Sequence, residues 1–222
     1  WEVRLLFSKL LINNLKIALF FPPNTTFKSI NVANAVNEEF GDIFSEDPNI
    51  FNLPPSAPTE IPRIIYNQNQ KDNAQLSIGF SRADLSVGLK SQEDWKCRII
   101  QLSLKLQKLF IEKLKMRIIR VGMIATYTID TDTSLDDFLA QYIKSDRLAD
   151  VAEYNMSWLK KADLNGVKTN KWVRLFLSEQ HIESRKLVID INTIAEQTLD
   201  LQNLPLNDLI EQLLGCLEGE VF

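Results

Sequence analysis

Residues 3 to 21 are rich in strand-forming side chains and stop at Pro22-Pro23, with "LKIALFF" the clearest strand among them. The apolar period then changes. Phe27, Ile30, Ala33, Val36, Phe40 and Ile43 recur at steps of three and four, the single stripe of a helix that Asn24 or Thr25 can cap. "SEDPNIFNLPPSAPTEIP" follows, and its five prolines predict an extended surface connection, because proline removes backbone donors. The period returns to two in "RIIYNQNQKDNAQLSIGFSRADLSVGL". Leu76, Ile78 and Phe80 alternate with polar residues, as do Leu85, Val87 and Leu89, and Lys71-Asp72-Asn73 has turn chemistry. That pattern predicts an antiparallel meander. Ser91 then opens a helix running through Trp95 to about Lys115, with Glu93 and Asp94 suited to its first turn.

The second half repeats this order. Ile118 to Ile129 reads as a strand and Ser134 to Ile143 as a short helix. "VAEYNMSWLKKADL", "KWVRLFLSE" and "RKLVIDIN" read as three more strands, the first two joined by the turn signal Asn165-Gly166. A final helix starts near Pro205 and carries Leu206, Leu209, Ile210, Leu213 and Leu217 on one face. The expected fold is α+β: duplicated β-α-β-β-β-α halves, 1–115 and 116–222, forming antiparallel sheet with helices packed on one face. The halves can share one continuous domain.

Charge adds a second pattern. The 222 residues carry a net charge of −4, which argues against a chain built wholly for nucleic acid, since phosphates need a local excess of Lys and Arg. From Lys96 to Arg120, however, eight basic residues stand against the single acid Glu112. At 100° per residue Arg98, Lys105, Lys108 and Lys115 share one face, opposite Ile99, Leu106, Phe110 and Leu114. Beyond Lys186 the charges reverse: seven acids from Asp190 to Glu220 stand without a Lys or Arg. Such faces are either solvated or meet opposite charge on each other, on a second copy or on a partner.

Candidate chemistry is sparse. Asp130, Asp132, Asp136 and Asp137 crowd together, but "DTDTSLDD" has neither the glycine nor the distant glutamate of a calcium loop. They suit a strand end and the first turn of a helix capped by Ser134. His181 is the only histidine, in a polar stretch between two strands, so a His–Cys zinc site is nearly excluded. Cys97 and Cys216 read as free, mostly buried thiols. The seven glycines form no phosphate loop, and Asp190 in "VIDIN" reads as a strand-end aspartate and not a nuclease carboxylate. No catalytic residue, metal site or cofactor is assigned. Glu2, Arg4, Lys9 and Lys16 interrupt the apolar N-terminal run, so no membrane span is expected.

From about Pro62 to Ile129 the chain resembles a family of uncharacterised, sporadically distributed bacterial proteins of similar length. The residues that carry the resemblance are "QLSIGFSRADLSVGL", Trp95 in a long helix, and Arg120, Gly122 and Tyr127 of "RVGMIATYTID". The resemblance implies a bacterial cytosolic protein with no established activity, in a mobile or defence-related locus, and carries over no catalytic residues. The leading expectation is a cytoplasmic, non-enzymatic interaction or scaffold subunit, a homo-oligomer or part of a larger assembly, with Arg98, Lys105, Lys108 and Lys115 facing the partner. The alternative is a nucleic-acid-binding module using a saddle-like sheet or the basic helix. The third is an enzyme with a carboxylate site.

Overall fold

The computed structural model describes residues 10–54, 56–67, 73–89, 94–129, 153–178, 186–194, 199, 201 and 204–218. Among the described residues nine strands form one antiparallel sheet. They are β1 (Leu10–Phe20), β2 (Asn49–Ile50), β3 (Ile64–Asn67), β4 (Ala74–Ile78), β5 (Arg82–Gly88), β6 (Arg120–Ile129), β7 (Glu153–Leu164), β8 (Val167–Ser178) and β9 (Lys186–Thr193). Across the sheet the order is β2-β3-β4-β5-β1-β6-β9-β8-β7. β1 and β6 therefore meet at the centre, from Leu10↔Ile129 to Phe20↔Arg120, with a bulge between Ile12 and Asn14. On either side of them lies the last strand of a meander: β5 beside β1, and β9 beside β6.

Three helices occupy one face among the described residues: α1 (Ser29–Phe40), α2 (Trp95–Leu106) and α3 (Leu206–Glu218). Strand alternation explains the division of faces. Leu15, Ile17 and Leu19 of β1, Leu85 and Val87 of β5, Val121 and Met123 of β6, and Ile189 and Ile191 of β9 point to the helices and are buried. They join Val32, Val36 and Phe40 of α1, Ile99, Leu102 and Leu106 of α2, and Leu209, Ile210 and Leu213 of α3 in one core. Polar anchors tie helices to sheet. The Tyr66 hydroxyl lies 3.0 Å from both the Ala33 carbonyl and Asn37 Oδ1. Burial raises its pKa to about 12, so it remains a donor. On β8, buried Lys171 donates from Nζ to the Cys216 carbonyl at 2.7 Å, in the last turn of α3, where a cation is favoured.

Several element ends differ from expectation. α1 begins at Ser29, its N-cap Lys28 makes no side-chain cap bond, and Thr25 instead bonds back to the Pro22 carbonyl in a preceding turn. Ile30, assigned to the apolar stripe, is 59% exposed: it stands in the first turn of α1, ahead of the buried stretch that starts at Val32. The helix expected to run from 91 to 115 is α-helical only from Trp95 to Leu106. Gln107–Lys113 form a π-helical turn, closed by Leu114 N to Leu109 O at 3.0 Å. The wider turn keeps Leu109 and Phe110 buried while it turns Gln107 toward α3, where its Oε1 accepts the Leu206 amide at 3.0 Å. The Asn165-Gly166 turn is as expected, with φ of 51° and 88°. The helix expected at 134–143, the aspartates at 130–137 and His181 lie outside the described residues, as does Ser91.

Candidate binding face of the sheet

The strand phase that sends Leu15, Ile17 and Leu19 into the core sends Lys16, Ala18 and Phe20 to the opposite face. Register extends that face to Arg82, Asp84 and Ser86 on β5, and to Arg120, Gly122 and Ile124 on β6. Asp190 and Asn192 on β9, and Trp172, Arg174 and Phe176 on β8, continue it. No helix of the described residues covers it. The face gathers Lys16, Arg82, Arg120, Lys161, Lys168, Arg174 and Lys186 against Asp84, Glu153, Asp163 and Asp190, so bases outnumber acids here although the chain is acidic overall.

Two clusters stand out. At the central seam the Arg120 guanidinium carbon lies 3.6 Å from the centre of the Phe20 ring, and that of Arg82 lies 5.0 Å from it. Arg82 is held by Asp84, through Nε at 2.9 Å and Nη2 at 2.8 Å. Arg120 Nε is buried and has no hydrogen-bond partner among the described residues. Burial lowers the Arg120 pKa from its ordinary value, the like charge of Arg82 lowers it further, and Asp190 opposes both. Beside these residues a notch of about 160 Å³ is lined by Ala18, Phe20, Gly122, Ile124, Asp190 and Asn192 together with the two arginines. Asn192 Nδ2 donates to Asp190 Oδ1 at 3.1 Å, and Arg174 Nη2 stands 3.9 Å from Asp190 Oδ2. The second cluster is on β8, where half-exposed Trp172 and Phe176 flank Arg174, which is exposed, and Phe176 is the register partner of Lys186. Asp190 sits in the interior of β9, next to the notch, and not at a strand end as expected.

The four basic residues assigned to a partner lie on the other side of the molecule, in the helical layer. Lys105 is half-buried, donating to the Glu39 carbonyl at 2.7 Å and to Asp42 Oδ1 at 2.8 Å. Lys108 is exposed, Arg98 is half-buried, and Lys115 lies past the π turn with φ of 52°. Lys113, outside that set, pairs with Glu38 at 2.7 Å and Glu39 at 2.8 Å. The acids meeting this basic stretch thus belong to the end of α1 and the residues just after it.

Cys97 is exposed, against the expectation of a buried thiol, because it faces away from the Ile99–Leu102–Leu106 stripe. Cys216 is half-buried, and desolvation raises its thiol pKa. Among the described residues no three His, Cys, Asp or Glu side chains converge as metal ligands, and no helix is long and apolar enough to cross a membrane. Sequence reasoning offered a saddle-like sheet as the alternative but named none of the residues on its face. The signal was present in "KWVRLFL", whose outward phase reads aromatic, cation, aromatic. No family model matches the chain, and no curated protein matches it either, so the chemistry of this face bears on function alone.

Proposed function

We propose that this protein is a non-enzymatic binding subunit whose uncovered sheet face receives a single-stranded nucleic acid. The observation that carries this is the interleaving of cations with aromatic rings: Trp172, Arg174 and Phe176 along β8, and Phe20 between Arg82 and Arg120 at the seam. Bases stack on such rings, while neighbouring cations follow the phosphates. A basic face on a chain of net charge −4 also steers a polyanion to one side of the molecule. Support for two duplicated β-α-β-β-β-α halves comes from the strand order, which reads β3-β4-β5-β1 from one side and β7-β8-β9-β6 from the other. Across β9 the register runs from Trp172 through Asp190 to Ile124, which joins the β8 cluster to the notch at the seam.

A protein partner on the helical layer is the second reading. It is favoured by exposed Lys108 and by Leu104, which is 40% exposed four residues earlier on α2. Lys105 is a poor test of it, since reversing that charge would place a carboxylate against Asp42 and Glu39.

The deciding experiment is fluorescence anisotropy with a labelled 12-nucleotide single strand across a salt series. The expected result is binding that weakens steeply with salt. Trp172→Ala and Phe176→Ala should each weaken it by about 1–3 kcal/mol, the usual worth of one stacking platform. Lack of binding at low salt, together with a sedimentation coefficient that falls on Lys108→Glu, would overturn the nucleic-acid proposal in favour of a protein partner.

A further inference from the structure

The notch at the seam has features that stacking does not require. Its floor is the register pair Ala18 and Gly122, the smallest residues on this face of β1 and β6. Larger side chains there would fill the space. Gly122 has room for one: an added Cβ would lie 3.5 Å from Asn192 Cβ and 3.7 Å from Ala18 Cβ, which is ordinary contact. The rim brings two guanidiniums to one ring, and they differ in how they are satisfied. Arg82 is bound by Asp84. Arg120 has no carboxylate within ion-pair distance among the described residues, and its buried Nε donates to nothing. A guanidinium is a planar fork of donors matched to oxyanions, and a buried donor left unpaired is costly until an acceptor arrives. Asp190 would repel an anion, but Asn192 donates to it and Arg174 stands 3.9 Å away, which blunts its charge toward the notch.

We propose that this notch is a phosphate site, with the phosphate oxygens accepting from Arg120 and lying within the field of Arg82. A phosphate can accept from Arg120 and still turn an oxygen toward Arg82, and its larger charge gains more from the two guanidiniums than a carboxylate's would. The phosphate has two possible sources: a nucleic-acid backbone, in which case the site deepens and rests on the function proposed above, or a free phosphorylated small molecule, in which case it stands apart from it.

The test uses the full chain and two probes. About 50 mM inorganic phosphate, compared with chloride of equal ionic strength, should raise the melting temperature by about 2 °C or more if the site takes a free phosphate group. Arg120→Gln should abolish that rise. Gly122→Val should abolish it too, by filling the notch with every charge left in place, and Lys28→Gln, an exposed cation at the start of α1 that does not line the notch, should preserve it. The same proteins are then titrated with the 12-nucleotide strand. Loss of about tenfold or more in affinity for Arg120→Gln and Gly122→Val, with no phosphate-induced rise, assigns the site to the backbone. A phosphate-induced rise without strand binding leaves the site standing while the function proposed for the sheet fails. If neither probe distinguishes both variants from wild type, the phosphate site is overturned.

Discussion

Glu39 shows how much of the charge pattern is settled between neighbouring side chains. Its carboxylate lies 2.8 Å from Lys113, with Lys108 and Lys105 adding favourable field. The hydrogen bond from Lys113 is the largest influence, and it holds the Glu39 pKa below the ordinary 4.5. A depressed carboxylate contributes stability that is present above the unfolded value and is lost as pH falls through the folded one. Glu39→Gln should therefore lower the melting temperature at neutral pH, and the gap from wild type should close as pH drops below 4.5. A gap that persists unchanged at pH 3 would show that the carboxylate charge contributes nothing. The sequence displayed the bases between Lys96 and Arg120 plainly. It did not display their partners, because Glu38, Glu39 and Asp42 lie more than sixty positions away and only tertiary packing brings them near.

The elements themselves were legible wherever period and punctuation agreed. Strands β4 to β9 and helix α3 fall where alternation, Asn165-Gly166 and the leucine stripe place them. The end of α2 was not legible, since a π turn keeps the same residues buried that an α turn would and leaves no mark in the hydrophobic period. Its consequence is specific. Gln107 reaches α3 and satisfies an amide that the first turn of any helix leaves open. Gln107→Ala should destabilise the protein by about 1 kcal/mol, the usual worth of such a cap, read from the urea midpoint. Gln107→Glu keeps an acceptor near the positive end of α3 but gives up the donation to Glu112 Oε1 at 3.4 Å, so it should recover only part of the loss. Equal destabilisation by both would mean that the contact is incidental.

At the scale of the molecule, alternation told which residues share a face, but it could not order the strands, because pairing depends on partners far apart in the chain. β1 and β6 are joined from Leu10↔Ile129 to Phe20↔Arg120, and this seam makes one sheet of both halves. Urea unfolding followed by tryptophan fluorescence and by far-ultraviolet circular dichroism should consequently give superimposable transitions. Trp95 belongs to the first half of the chain and Trp158 and Trp172 to the second, so two separated transitions would mean that each half holds itself together. The same seam sets a condition on the protein's birth. As the chain leaves the ribosome, β5 can pair with one edge of β1, while the other edge waits for residues 120–129. At about 5–20 residues per second, those hundred or so intervening residues take roughly 5–20 s to make. Throughout that interval an apolar strand with open hydrogen-bonding groups is presented to its surroundings. The hazard of this fold is therefore a nascent one: two neighbouring chains on one messenger, each offering a bare β1, can pair with one another before either has made its own β6.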